Sequence, residues 1–208
     1  EVEAQNPDLI VTYRNLHSAD GIQSYSLGEH VDVLLQKTAQ PVLLVPHPNE
    51  SGLLDHTLHN NDTVMVMTDH LTVDSFLINS ALSFCEAKSK LFLTHVEDQN
   101  TFDRYIDVIS KIAGINTDLA TEQIAAKLLD APKSYIKSCA EVLGQYRPDL
   151  IVKDIVAFGS VLADCKTQIE SNNIDLLVMH CKDADQLAMH GLAYPLAIEV
   201  NKIPLLMV

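Results

Sequence analysis

Basic residues are scarce in this chain. Only 14 Lys and Arg stand against 28 Asp and Glu, which gives a formal net charge of −14. Binding to the phosphates of a nucleic acid depends on clustered Lys and Arg. The composition therefore argues against nucleic-acid binding as the main function. The charge itself indicates solubility and self-repulsion, and it carries no information about the fold.

Long apolar runs are absent as well. Apolar residues make up 47% of the 208 positions, but no run approaches the roughly 20 residues that a membrane-spanning helix needs. The N-terminal residues contain no basic segment followed by an apolar one, the pattern that is typical of a signal peptide. We therefore expect a protein with no membrane partner and with a full-sized apolar core.

Cysteines are few and widely spaced. The four, at positions 85, 139, 165 and 181, form no C-x-x-C pair, so the spacing predicts neither a zinc framework nor a redox motif. Cys85, Cys139 and Cys165 fall in apolar helical patterns, which indicates reduced core residues. Reduced cysteines favour a cytoplasmic location.

Motifs of covalent catalysis are also missing. Ser24, Ser26 and Ser160 have no G-x-S-x-G context. Cys181 has His180 beside it and His190 downstream, but no third orienting group is evident. We therefore expect that the protein is not an enzyme.

Short apolar runs alternate with helical patterns through most of the chain, which predicts buried strands of a parallel sheet covered by helices on both faces. The five runs after residue 62 are TVMVM (63–67), KLFLTHV (90–96), DLIVKDIVAF (149–158), IDLLVMH (174–180) and IPLLMV (203–208). Five strands with their crossovers make a complete doubly wound α/β domain.

Helices are predicted between these strands from apolar residues at three- and four-residue steps. Two apolar faces are expected to be buried: one of Phe76, Leu77, Ala81, Leu82 and Cys85, and one of Phe102, Tyr105, Ile106, Ile109 and Ile112. Between residues 118 and 146 we expect two helices, because Pro132 fits the first turn of a second helix capped by Asp130. Residues 161–170 and 187–200 are also expected to be helical, with Pro195 starting a new turn or a kink.

The closing strand–helix–strand unit has a counterpart at the start of the chain. NPDLIV (6–11) corresponds to NIDLLV (173–178), and QPVLLV (40–45) corresponds to IPLLMV. Gly28 precedes Pro41 by thirteen residues, as Gly191 precedes Pro204. Such self-similarity indicates a duplicated unit.

This repeat predicts the domain organisation. Residues 1–48 would be the C-terminal part of a first copy, 49–62 a polar linker, and 63–208 the complete second copy. The first copy would then begin about 100 residues before Glu1, so that the chain is a fragment of a longer protein. The final strands of the two copies, at 41–45 and 204–208, should lie side by side and antiparallel, because each is otherwise an open edge.

At this point the sequence resembles the universal stress protein family, in its tandem two-domain type with the first domain truncated. The resemblance rests on TVMVMTDH, LFLTHVED, VAFGSV, and the closing unit IDLLVM…G…IPLLMV with its repeat PDLIV…G…QPVLLV. It implies a Rossmann-like, five-stranded fold of the adenine nucleotide alpha hydrolase-like kind. Many family members bind ATP, and few have a defined reaction.

The resemblance also implies a candidate nucleotide site. Asp69 matches an Asp that contacts adenine, Val96 an apolar residue ending strand two, Met179 the residue before a glycine loop, and Gly191 the last glycine of that loop. A loop cap for Asp69 and a helix-packing role for Gly191 are the alternatives. Glycines let backbone N–H groups approach phosphates.

The glycine loop departs from the family pattern. Its first two glycines fall near His180 and Asp183, and its hydroxyl position is Leu192. Asp183 and Asp185 would place negative charge beside the phosphates. In the first copy, Tyr13 and Leu16 stand near the glycine positions, and Glu29 replaces the hydroxyl.

These departures imply a stress-response regulatory or binding protein of the universal stress type that does not bind ATP in the usual way and needs no cofactor. An ATP- or AMP-binding switch and a protein-interaction module are the alternatives. As partners we expect the two copies packed as a pseudo-dimer, a homodimer through the fifth strands, or both.

Two groups of residues suggest metal ligands. His56 and His59 form H-x-x-H, near Asp55 and Asp62, and that spacing suits one helical face. His180, Cys181 and His190, with Asp183 or Asp185, could hold zinc. Solvated histidines in a polar linker are the simpler interpretation of the first group, and we expect no metal site.

Overall fold

A computed structural model describes residues 2–17, 25–47, 60–68, 75–181 and 191–208. Its strands are β1 (Ile10–Tyr13), β2 (Val42–Val45), β3 (Thr63–Met67), β4 (Lys90–Asp98), β5 (Ile151–Gly159), β6 (Leu176–Met179) and β7 (Leu205–Met207). Its helices are α1 (Val2–Gln5), α2 (Glu29–Lys37), α3 (Ser75–Leu82), α4 (Gln99–Ser110), α5 (Thr117–Tyr146), α6 (Val161–Asn172) and α7 (Ala193–Glu199).

The strands of the described residues form one sheet in the order β1-β2-β7-β6-β3-β4-β5. Every neighbouring pair is parallel except β2 and β7, which are antiparallel. The five strands after residue 62 are thus ordered as in a doubly wound sheet. The predicted α/β class is confirmed.

Helices cover both faces of the sheet. One core cluster holds side chains of α2, α6 and α7, such as Leu35, Cys165 and Leu196. The other holds side chains of α3 and α5, such as Leu77 and Ile136. The inner strands β3 and β6 are buried along their whole length. This explains their unbroken apolar runs, because strands covered on both faces have no polar side.

The predicted pairing of the two final strands is confirmed. Val42 lies opposite Met207, Leu43 opposite Leu206, and Leu44 opposite Leu205. An offset of 163 residues carries Val42–Leu44 onto Leu205–Met207, so this register has local two-fold symmetry about the Leu43–Leu206 pair.

The parallel registers agree with the repeat as well. Ile10 lies opposite Val42 in the first strand–helix–strand unit, and Leu177 lies opposite Leu205 in the last. These pairs match under the offsets of 167 residues for β1 and 163 for β2. Residues that are equivalent in the sequence repeat are therefore also equivalent in the pairing of the strands.

The prediction of two helices between residues 118 and 146 is wrong. A single helix, α5, starts after the N-cap Asn116 and contains Pro132. A proline inside a helix removes one hydrogen bond and costs about 3 kcal/mol. Pro132 is buried, and Ile136 and Leu143 beyond it pack into the core, so tertiary packing holds the helix continuous.

Three side chains expected in the core are exposed. Phe76 is 57% exposed, Tyr105 55% and Ile112 49%. The buried side of α3 is Leu77, Ile78 and Ala81, which moves its apolar face away from Phe76. Helix α4 buries only Phe102, which contacts Phe158 with ring centroids 4.7 Å apart. The rest of the predicted face is half-buried at Ile106 and Ile109 and exposed at Tyr105 and Ile112.

Candidate nucleotide site

The candidate site lies where β3 and β6 end side by side. The connection after β3 leads to α3 on one face of the sheet, and the connection after β6 leads to α7 on the other. Ligands of doubly wound sheets bind at such a switch point, beyond the carboxyl ends of the strands. Val96, Met179 and Gly191 are among the described residues. Asp69 lies outside them, and its role stays a prediction.

Val96 and Met179 share one face of the sheet near this point. Met179 ends β6, is 2% exposed, and belongs to the same core cluster as Met67 at the end of β3. Val96 is half-buried and packs against that cluster. The structure thus brings two of the predicted residues to one apolar cluster, in which Met179 is already covered by protein groups and Val96 stays partly accessible.

Gly191 does not need to be glycine for steric reasons. It is exposed, has no positive φ, and a Cβ atom built on it would meet no atom of the described residues within 4 Å. The described residues therefore give no support to the helix-packing alternative. Gly28, its counterpart in the repeat, differs: its φ is 92°, and a Cβ would lie 2.8 Å from the Cα of Asn15.

A buried histidine at the end of β4 was not predicted. His95 is 4% exposed, its Nδ1 lies 3.1 Å from the carbonyl oxygen of Thr68, and its Nε2 lies 2.9 Å from Oε1 of Glu97. A carbonyl oxygen can only accept, so Nδ1 carries a proton. His95 thereby fixes the backbone of Thr68, the residue just before Asp69. A polar residue inside the apolar run LFLTHV was the one signal for it.

The corresponding place in the first unit is filled by protein groups. Arg14, just after β1, is 4% exposed. Its Nε donates to the carbonyl of Ala197 at 2.9 Å, and its terminal nitrogen donates to the carbonyls of Ala197 and Val200. These carbonyls end α7, where a cation is favoured. Tyr13 meets the His47 ring edge-on at 5.1 Å, Leu16 is half-buried, and Glu29 starts α2 at the surface.

The predicted metal ligands are mostly outside the described residues. His56, His59, Asp183, Asp185 and His190 all lie there. Within the part that the structure describes, no cluster of three or more His, Cys, Asp or Glu could hold a metal ion. The backbone N–H of Cys181 donates to the carbonyl of Val208 at 3.0 Å, which ties the end of β6 to the end of β7.

The cysteines carry no disulfide, and their burial differs. Cys165 and Cys181 are buried, and Cys85 and Cys139 are half-buried. Burial raises the pKa of Cys165 to about 12 and that of Cys85 to about 11, the latter against the opposing pull of Arg147. Both thiols are therefore neutral near pH 7, which makes them poor nucleophiles and poor metal ligands.

Comparison with known proteins gives likeness of structure only. No protein-family model matches the chain, and no curated protein matches it significantly. In the described residues no helix is long and apolar enough to cross a membrane.

Among solved structures, the neighbours include universal stress proteins. A putative universal stress protein from Pseudomonas aeruginosa UCBPP-PA14 has a TM-score of 0.56 at 12% identity, over 100% of this chain and 65% of that chain. A universal stress protein from Archaeoglobus fulgidus DSM 4304 has a TM-score of 0.55 at 14% identity, over 99% and 62%. The hypothetical protein MJ0577 has a TM-score of 0.51 at 16% identity, over 71% of this chain and 95% of that chain.

These identities show the fold alone. The chain has the Rossmann-like fold seen in universal stress proteins, and it spans less than two thirds of the length of the two larger neighbours.

Proposed function

We propose that this chain is a stress-response binding protein of the universal stress type, without enzymatic activity, and that it works in the cytoplasm. The observation that carries the proposal is the sheet order, in which a doubly wound unit of five strands pairs its last strand antiparallel with β2. The fold neighbours named as universal stress proteins support the same class.

We further infer that β1, α2 and β2 are the end of a duplicated copy, packed on the complete copy as a pseudo-dimer. The equal registers of the two units support this inference, because Ile10–Val42 and Leu177–Leu205 are equivalent pairs under the sequence repeat. The buried Arg14 also ties the first unit to α7 of the second through main-chain carbonyls.

On this proposal the protein does not bind ATP by a glycine loop. The sequence places Asp183 and Asp185 where phosphates would lie, and Leu192 where a hydroxyl would be needed. Each of these two carboxylates would repel a phosphate in the same site by about 1 kcal/mol or more. A weaker alternative is adenine or AMP binding through Asp69, with the half-buried Val96 as an apolar contact.

Thermal unfolding with millimolar ATP, ADP and AMP tests both candidates, since a ligand that binds only the folded state must raise the melting temperature. We expect no rise with any of the three. A rise that Asp69→Ala removes and Asp130→Ala keeps would contradict the proposal and establish the nucleotide switch. Asp130 is a suitable control, because it is an exposed Asp on α5, the helix that packs on β4 and β5.

A further inference from the structure

Strand β5 ends the sheet with an open edge. It is nine residues long, and its one neighbour among the described strands is β4. The N–H of Ile151 donates to the carbonyl oxygen of Ser89, the residue just before β4, at 2.9 Å. Bonding direction alternates along a strand, so the N–H and C=O groups of Val152, Asp154 and Val156 point away from β4. This edge can accept another strand.

A cavity lies beside that edge. It has a volume of about 340 Å³ and is bounded by α5 on one side and β5 on the other. Ile136, 3% exposed, and the half-buried Val152 give it an apolar floor. An added strand could place an apolar side chain in this space, since alternate residues of a strand face the same side.

The charged residues around this cavity have a net positive charge, opposite in sign to that of the whole chain. Among the described residues, Lys133 and Lys137, four residues apart on α5, line the cavity together with one acidic residue, Asp154. Lys153 also borders it, but its side chain shares the opposite face of the sheet with Ile155. Within the described residues, neither the Lys133 nor the Lys137 ammonium group makes an ion pair or a hydrogen bond. In a chain of net charge −14, two lysines at one groove form a local site for a negatively charged partner.

We propose that this groove, bounded by α5 and β5, binds an extended acidic segment of a partner protein as an added strand. The backbone of the segment bonds to the free edge of β5, apolar side chains enter the cavity, and Asp or Glu side chains meet Lys133 and Lys137. Strand addition of this kind takes affinity from main-chain hydrogen bonds and specificity from alternate side chains. The proposal is independent of nucleotide binding. The groove adjoins β5, whereas the candidate nucleotide site lies at β3 and β6, and β4 separates β5 from β3.

Fluorescence anisotropy with the whole chain tests the proposal. The probe is a labelled peptide with Glu-Thr-Val-Thr repeated twice and flanked by glycine, which puts Glu and Val on one face of the added strand. We expect saturable binding that weakens as salt rises. Exchanging Lys133 and Lys137 together for Gln should weaken binding by about tenfold. Lys127→Gln, an exposed lysine of the same helix outside the groove, should change it less than twofold.

A second pair of variants tests the strand edge. Asp154→Pro removes an outward N–H and leaves the bonds to β4 in place, which edge strands tolerate. Asp154→Asn removes the same charge and keeps the N–H. We expect Asp154→Pro to abolish peptide binding and Asp154→Asn to keep or tighten it, with circular dichroism showing both variants folded.

Three results would overturn the proposal. The first is equal binding by both Asp154 variants, which would exclude backbone pairing. The second is equal affinity for a single-stranded oligonucleotide of the same charge, which would show a general anion surface. The third is no peptide binding together with self-association of the Lys133 and Lys137 variant, which would mean that these lysines protect the edge from pairing.

Discussion

Replacing Leu44 by alanine should lower the free energy of unfolding by about 3 kcal/mol. Leu44 is 0% exposed, lies opposite Leu205 across the antiparallel pair, and belongs to the core cluster on that face. Three carbon atoms are lost, worth about 2.4 kcal/mol at about 0.8 kcal/mol per methylene. The cavity left behind brings measured Leu→Ala losses to about 2.7–5 kcal/mol.

Urea unfolding at 25 °C, followed by far-ultraviolet circular dichroism, measures this loss. With a slope near the upper end of about 1–3 kcal/mol per molar urea, the midpoint should fall by about 1 M. Val33→Ala is the matched control, because Val33 lies in the same unit but is 54% exposed, so its effect should stay within about 0.5 kcal/mol. A loss below about 1 kcal/mol for Leu44→Ala would refute the burial of β2 against β7.

Two further predictions concern a helix cap and the thiols. Asp98 caps α4, and its hydrogen bonds from Thr101 hold the pKa of this carboxyl below its usual value. Asp98→Ala should therefore cost about 1 kcal/mol at pH 7 and Asp98→Asn much less. A carboxyl whose pKa is lowered by folding stabilises the protein at pH above its unfolded-state pKa, and this stabilisation is lost as the pH falls through its folded-state pKa. Urea titrations below about pH 4 should therefore show the wild type losing its stability advantage over Asp98→Asn. A difference in stability that stays constant with pH would contradict this. At pH 8, Ellman's reagent should react with Cys165 and Cys85 far more slowly in native protein than in urea, and a fast native reaction of Cys165 would refute its burial.

The strands could be predicted because their apolar runs report burial directly. TVMVM and LLVM are buried at every position, so each residue carries the signal. The two-fold strand pair could also be predicted, since the repeat supplies both partners. The continuous helix α5 could not, because local sequence reports the cost of Pro132 but not the packing of Ile136 and Leu143 that offsets it.

The candidate site was less predictable. Val96 and Met179 were found through resemblance, and the structure places both in one apolar cluster. His95 was missed because its partner, the carbonyl of Thr68, comes just after the neighbouring strand β3. Arg14 was missed because the carbonyls that it binds lie 183 and 186 residues further along the chain. A single sequence does not report such distant main-chain contacts.

The pairing of β2 with β7 has a consequence for how the protein responds to dilution. When two separate chains join edge to edge, the contact depends on their concentration and is lost as they are diluted. Here both strands belong to one chain, so each meets the other at an effective concentration set by the connecting segment. The fraction of molecules in which β2 is paired with β7 is therefore independent of how much of this protein the cell makes.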